Sequence, residues 1–183
     1  MGQAKKIKIY TYLAGPMEAV PDGGVQWRDR ITPKLVDFFG DKIDIQDPCK
    51  SEGTKLKAFI DEKTDVKDIK KILKGWKESG HWEKFDPAIE AIIETDLQCV
   101  DRSAFIIVFL DFKYQMGGTI SEITQAYRHR VPIYAVCYDK ASDANSWILG
   151  MCRLGGVVYP NFAQAVEAIT NDFKDYKKST KRD

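Results

Sequence analysis

Residues 104–110 read Ala104-Phe105-Ile106-Ile107-Val108-Phe109-Leu110, an apolar run with no polar side chain to face water. A half-exposed strand would alternate. A continuous run of this length marks a strand covered on both faces, as at the centre of a parallel sheet. The flanks agree. Upstream, Ile89, Ile92, Ile93, Leu97 and Val100 recur at helical spacing behind Pro87, a residue suited to opening a helix. Downstream, a loop at 111–116 leads to a second helix, Thr119 to His129, and then to a further strand, Pro132 to Tyr138. Helix, strand, helix, strand in this order predicts an α/β fold with parallel strands and right-handed crossovers.

The rest of the chain extends the same pattern. Ile7 to Ala14 is rich in Ile and Tyr and stops at Gly15-Pro16, which reads as the first strand. Trp27, Ile31, Leu35, Phe38 and Phe39 give a helix over Gln26 to Phe39, closed by Gly40. Ile43 to Ile45 is a short second strand leading to Asp47-Pro48. Residues 51–84 break the rhythm with many lysines among Asp and Glu. Ile69, Ile72, Leu73 and Trp76 mark a short amphipathic helix there. This is a helical insertion, either a lid or a solvated excursion beside the sheet. A short helix around Asn145 to Arg153, a strand at Gly156 to Tyr159 and a helix from Asn161 to about Tyr176 complete the set, and a frayed tail over Lys177–Asp183 follows. The expectation is a single domain over 1–183.

Composition narrows the function classes. Lys and Arg number 28 against 27 Asp and Glu, a net charge of +1, so nothing electrostatic points to nucleic acid or a membrane surface. Cys49, Cys99, Cys137 and Cys152 form no CxxC pair and no zinc pattern with His81 and His129. They read as reduced, mostly buried thiols, and no metal or cofactor is expected. There is no signal-peptide core and no stretch of membrane-spanning length, so the expected location is cytoplasmic.

Four segments could carry chemistry. Tyr12-Leu13-Ala14-Gly15-Pro16 ends the first strand, at the edge where open α/β sheets bind ligands, and Gly15 would admit a close approach of backbone to a sugar or base. GxGxxG and GxxxxGK[ST] are both absent, which leaves dinucleotide and P-loop readings unsupported. Gly117-Gly118-Thr119-Ile120-Ser121-Glu122 follows the most apolar strand. Thr119 and Glu122 have the spacing of a capping box, which alone would explain both. A carboxylate in a first helical turn is also held ionised by the helix dipole, the state needed to attack an anomeric carbon. Asp96 lies on the preceding helix between Ile93 and Leu97, and two carboxylates in one pocket can divide nucleophile and acid roles. Asn145-Ser146-Trp147 offers an amide that caps a helix and an indole of the kind enriched at subunit interfaces.

With these residues the chain resembles the nucleoside 2-deoxyribosyltransferase superfamily, which includes deoxynucleoside 5′-monophosphate N-glycosidases. The carriers are Tyr-Leu-Ala-Gly-Pro after strand one, Asp96 before the central strand, Gly-Thr-x-x-Glu after it, and an Asn beside a Trp, spread over about residues 7–150 with 51–84 unmatched. The resemblance implies a flavodoxin-like α/β sheet with helices on both faces. It also implies cleavage of the N-glycosidic bond of a nucleoside or nucleotide. By position, Glu122 is the nucleophile that forms a glycosyl-enzyme, Tyr12 orients it, and Asp96 is the acid that meets the departing base. Ala14, Gly15, Pro16, Gly118 and Thr119 fall at substrate-binding positions. Asn145 falls where a neighbouring subunit's Asn reaches the sugar, so a homodimer or larger assembly is implied. Met116 occupies a substrate-shaping position, six residues before Glu122, that tends to be Asp in transferases and Ser in monophosphate hydrolases. Arg28, Lys113 or lysines of the insertion would then meet a phosphate, and Gln115 is a further substitute for that contact. The expected reaction is transfer of the sugar to another base; the alternatives are a 5′-monophosphate N-hydrolase and a non-catalytic nucleotide-binding module of the same fold.

Overall fold

A computed structural model describes residues 8–17, 20–50, 56, 59–60, 64, 66–138 and 145–178. Five strands, β1 (Ile9–Ala14), β2 (Ile43–Gln46), β3 (Phe105–Leu110), β4 (Ile133–Cys137) and β5 (Gly156–Tyr159), form one sheet in the order β2-β1-β3-β4-β5. Every pairing is parallel. β3 is central, as its apolar run requires, and Phe105, Ile106, Ile107 and Val108 are fully buried. The chain leaves β1 toward β2 on one side and reaches β3 on the other. The carboxyl ends of β1 and β3 therefore flank the switch point at which such sheets bind ligands.

Helices cover both faces. α1 (Val25–Phe39) and, near the end of the chain, α6 (Phe162–Asp172) lie on one. They pack Trp27, Ile31, Leu35 and Ile169 against Leu13, Ile107 and Val136. Each such aliphatic side chain contributes about 1.5–3 kcal/mol by leaving water. Trp27 stacks flat on Phe162 with centroids 5.3 Å apart, which ties α1 to α6. On the other face α3 (Trp82–Arg102), α4 (Gly117–His129) and α5 (Ser146–Gly155) place Val100, Ile123, Ala126 and Met151 against Tyr12, Ile106, Val108 and Ala135.

The insertion holds α2 (Val66–Ser79). Leu56 and Ile69 are buried with Ala88 of α3, and Ile72, Leu73, Trp76 and Ile92 close around them. The apolar stripe of α2 is thus packed on the first half of α3, with the rest of the helix turned to solvent.

Several expected boundaries need correction. Pro87 does not open α3; the helix starts at Trp82 and Pro87 lies inside it. Only the bond to the Glu83 carbonyl is forfeited there, close enough to the helix end for solvent to replace it. The last helix is interrupted at Phe173 and resumes as α7 (Lys174–Lys178), so Lys177 and Lys178 are helical, while 179–183 fall outside the described residues. Ile7 of the first strand is also outside them. Among the described residues no helix is long and apolar enough to cross a membrane. All four cysteines are free thiols, and burial pushes Cys152 up to about 12.

Candidate active site

Strand alternation sends Tyr12 to the face covered by α3, α4 and α5, and Leu13 to the face covered by α1. The Tyr12 hydroxyl donates to Glu122 Oε1 at 2.7 Å, a buried bond between residues 110 apart in sequence. Tyr12 is 1% exposed and Glu122 8%. Asp96 is partly buried on α3, which packs against both β1 and α4.

The Tyr12 hydroxyl is held well above its ordinary range. Burial is the largest cause, followed by the negative charges of Glu122 and Asp96 and by the bond to Glu122, while Arg28 pulls the other way. The charges of both carboxylates bear on one hydroxyl, and the direct contact is the bond from Tyr12 to Glu122. A raised folded pKa contributes stability that is complete below about pH 10, the unfolded value, and is lost as pH climbs toward the folded one. Across the physiological range Tyr12 stays a donor, so Glu122 keeps an oriented oxygen.

The capping-box reading of Thr119 and Glu122 fails. α4 begins at Gly117, Met116 is the residue at its cap, and no side chain caps that end. Glu122 thus stands in the second turn, where its carboxylate meets Tyr12 and does not close the helix. Gly117 and Gly118 have open space where a side chain would stand, and Thr119 is buried beside them. Met116 is buried in the same apolar cluster as Tyr12 and Ala14. Its thioether forms wall and offers no firm anchor for a hydroxyl or phosphate.

Gly15 has a different reason from the one expected. A Cβ there would lie 2.9 Å from the Trp27 ring, so the close approach is made by an indole of α1. Ala14 and Pro16 are buried on either side of it. Arg28, proposed above to meet a phosphate, is fully buried and donates to the carbonyls of Leu13, Gly15 and Gly24. Its Nε lies 3.5 Å from Asp47 Oδ1. Deleting one partner of such a buried pair costs about 3–5 kcal/mol, because the other charge is left behind. Lys113 remains exposed on the 111–116 loop.

Asn145 caps α5, its side chain accepting from the Trp147 N–H at 2.9 Å. Trp147 is 77% exposed, whereas Met151 on the same helix is buried in the core. Among the described residues no three of His, Cys, Asp and Glu are grouped to hold a metal ion. Two surface clefts, of about 330 Å³ beside Val131 and Pro132 and about 260 Å³ beside Ile9, open at the amino ends of β4 and β1, and neither includes a candidate residue.

No protein-family model matches the chain, and no curated protein matches it. Among solved structures it is similar to a conserved protein from Enterococcus faecalis V583, at 17% identity and a TM-score of 0.58, over 90% of this chain and 99% of that one. At that identity the likeness bears on architecture alone. Together with the all-parallel order β2-β1-β3-β4-β5, it identifies the chain as an α/β protein with a flavodoxin-like open sheet.

Proposed function

We propose that the chain cleaves the N-glycosidic bond of a (deoxy)nucleoside or nucleotide and passes the sugar to a second base. One observation carries the reading: a buried carboxylate, Glu122, accepts from Tyr12 at 2.7 Å next to the sheet's switch point, and the charge of a second carboxylate, Asp96, acts on the same hydroxyl. With no capping duty to explain Glu122, a chemical role is the economical account of burying it. In the first step a Glu122 oxygen bonds to C1′, the C1′–N bond breaks, and the base departs with the electron pair and a proton from Asp96. In the second step a nitrogen of the incoming base bonds to C1′, its N–H proton passes to the Asp96 carboxylate, and the Glu122 carboxylate leaves. Water in place of that base would make the enzyme a hydrolase.

The test supplies a deoxynucleoside, and separately its 5′-monophosphate, with and without a second free base. New nucleoside that forms only with the second base present supports transfer. Free base released at one rate in both conditions assigns hydrolysis, and no release from any substrate removes the enzymatic reading.

A homodimer or larger assembly belongs to the same proposal. Trp147 and Leu154 stand two turns apart on one face of α5, 77% and 76% exposed, with Gly150 between them. Large apolar side chains exposed on one helix face are what an association site offers. Capping uses only the Asn145 oxygen, so its amide N–H groups can reach a neighbour's sugar. Light scattering should give at least a dimer, and Trp147→Glu should yield an inactive monomer. A fully active monomeric parent would refute this.

A further inference from the structure

We infer that Arg28 is the positioning residue of this site: its buried guanidinium fixes the backbone that follows Tyr12 and stations a positive charge behind the Tyr12–Glu122 pair. Nε and Nη2 donate to the Leu13 carbonyl at 3.2 and 3.0 Å, Nη2 to that of Gly15 at 3.2 Å, and Nη1 to that of Gly24 at 2.7 Å. Three segments are thereby joined through one planar group: the end of β1, the turn before α1, and Asp47 after β2. Gly24 is left-handed, with φ of 78°, and a Cβ there would meet Arg28 Nη1 at 2.5 Å, so the turn is shaped around the guanidinium. A planar fork serves several acceptors in fixed directions; an ammonium cannot.

The charge matters because it lies one peptide from Tyr12. The charges that act on the Tyr12 hydroxyl are those of Glu122, of Asp96 from α3 and of Arg28 from α1 on the other side of the sheet, and Cys137 and Cys152 belong to the same apolar cluster as Tyr12. Behind Arg28 stand Asp47, with Lys50 3.5 Å from it, and Asp22, whose carboxylate accepts from the Gly24 and Gln26 N–H groups. A buried cation among carboxylates favours the ionised form of Glu122, which is the form that attacks. The kinetic consequence rests on the proposed function; the electrostatic consequence does not.

The deciding measurement is the titration of Glu122 by carbon NMR on protein labelled at the glutamate carboxyls, with its signal assigned by its loss in Glu122→Gln. Arg28→Gln removes the cation and should raise the Glu122 midpoint by about half a unit or more. Asp47→Asn removes the opposing anion and should lower it. Arg28→Lys keeps the charge and should restore the midpoint. Should Arg28→Gln fail to fold, Asp47→Asn and Arg28→Lys still decide the sign. One midpoint shared by the parent, Asp47→Asn and whichever Arg28 variants fold overturns the inference. If the parent releases base, Arg28→Lys should raise KM about tenfold with an unshifted pH profile, since the fork is lost and the charge is kept. A parent that shows no turnover refutes the proposed reaction, and the NMR arms then judge Arg28 alone.

Discussion

Glu122→Gln is expected to abolish base release while leaving the protein at least as stable as the parent. The amide is isosteric and can still accept from Tyr12, but it cannot form the glycosyl ester. Loss of an enzyme's nucleophile lowers turnover by about a thousandfold or more. Stability should move the other way, because Glu122 is 8% exposed and a neutral amide removes a buried charge. Base release and a thermal melt on the same preparation check both halves. Near-normal turnover with a lowered melting temperature would make Glu122 a structural residue. Glu122→Ala is the poorer probe, since it also strands the buried Tyr12 hydroxyl at a cost of about 1–3 kcal/mol.

Asp96→Asn should slow cleavage by about 10²–10⁴-fold for bases that leave poorly, and far less for bases that leave well. The asymmetry follows from what an acid does: it matters in proportion to the negative charge the departing nitrogen must otherwise carry. The partly buried position on α3 lets Asp96 share Tyr12's surroundings while staying open to a ligand. A series of nucleosides ordered by the basicity of their bases provides the measurement. A uniform loss across the series would take Asp96 out of the acid role and make it a binding group.

The fold was legible because burial writes itself into hydrophobic period. The unbroken run at 105–110 demands cover on two faces, and the helical stripes before and after it supply that cover on one of them. Of the candidate site, Tyr12, Asp96 and Glu122 were legible as residues, but the Tyr12–Glu122 bond across 110 positions cannot be read from either segment. Thr-x-x-Glu was misread because that pattern fits any helix start in register, and two exposed glycines let α4 begin earlier. Arg28 was misplaced for a different reason. Its charge argues for solvent, yet positions 28, 31 and 35 fall on one helical stripe with Ile31 and Leu35, and all three are buried. A lone cation on an apolar stripe is the sign that acceptors wait inside.

The parallel order of the sheet also sets a timetable for biosynthesis. Thr11 of β1 pairs with Phe105 of β3, and Ala14 with Val108. During translation β1 can join β2 early, but its other edge waits for a strand that emerges some ninety residues later. At roughly 5–20 residues per second, that is on the order of ten seconds. In that interval the nascent chain carries an open, apolar strand edge beside the ribosome, an invitation to other unfinished chains. What emerges meanwhile includes the insertion, whose closely spaced charged side chains disfavour strand pairing until β3 arrives.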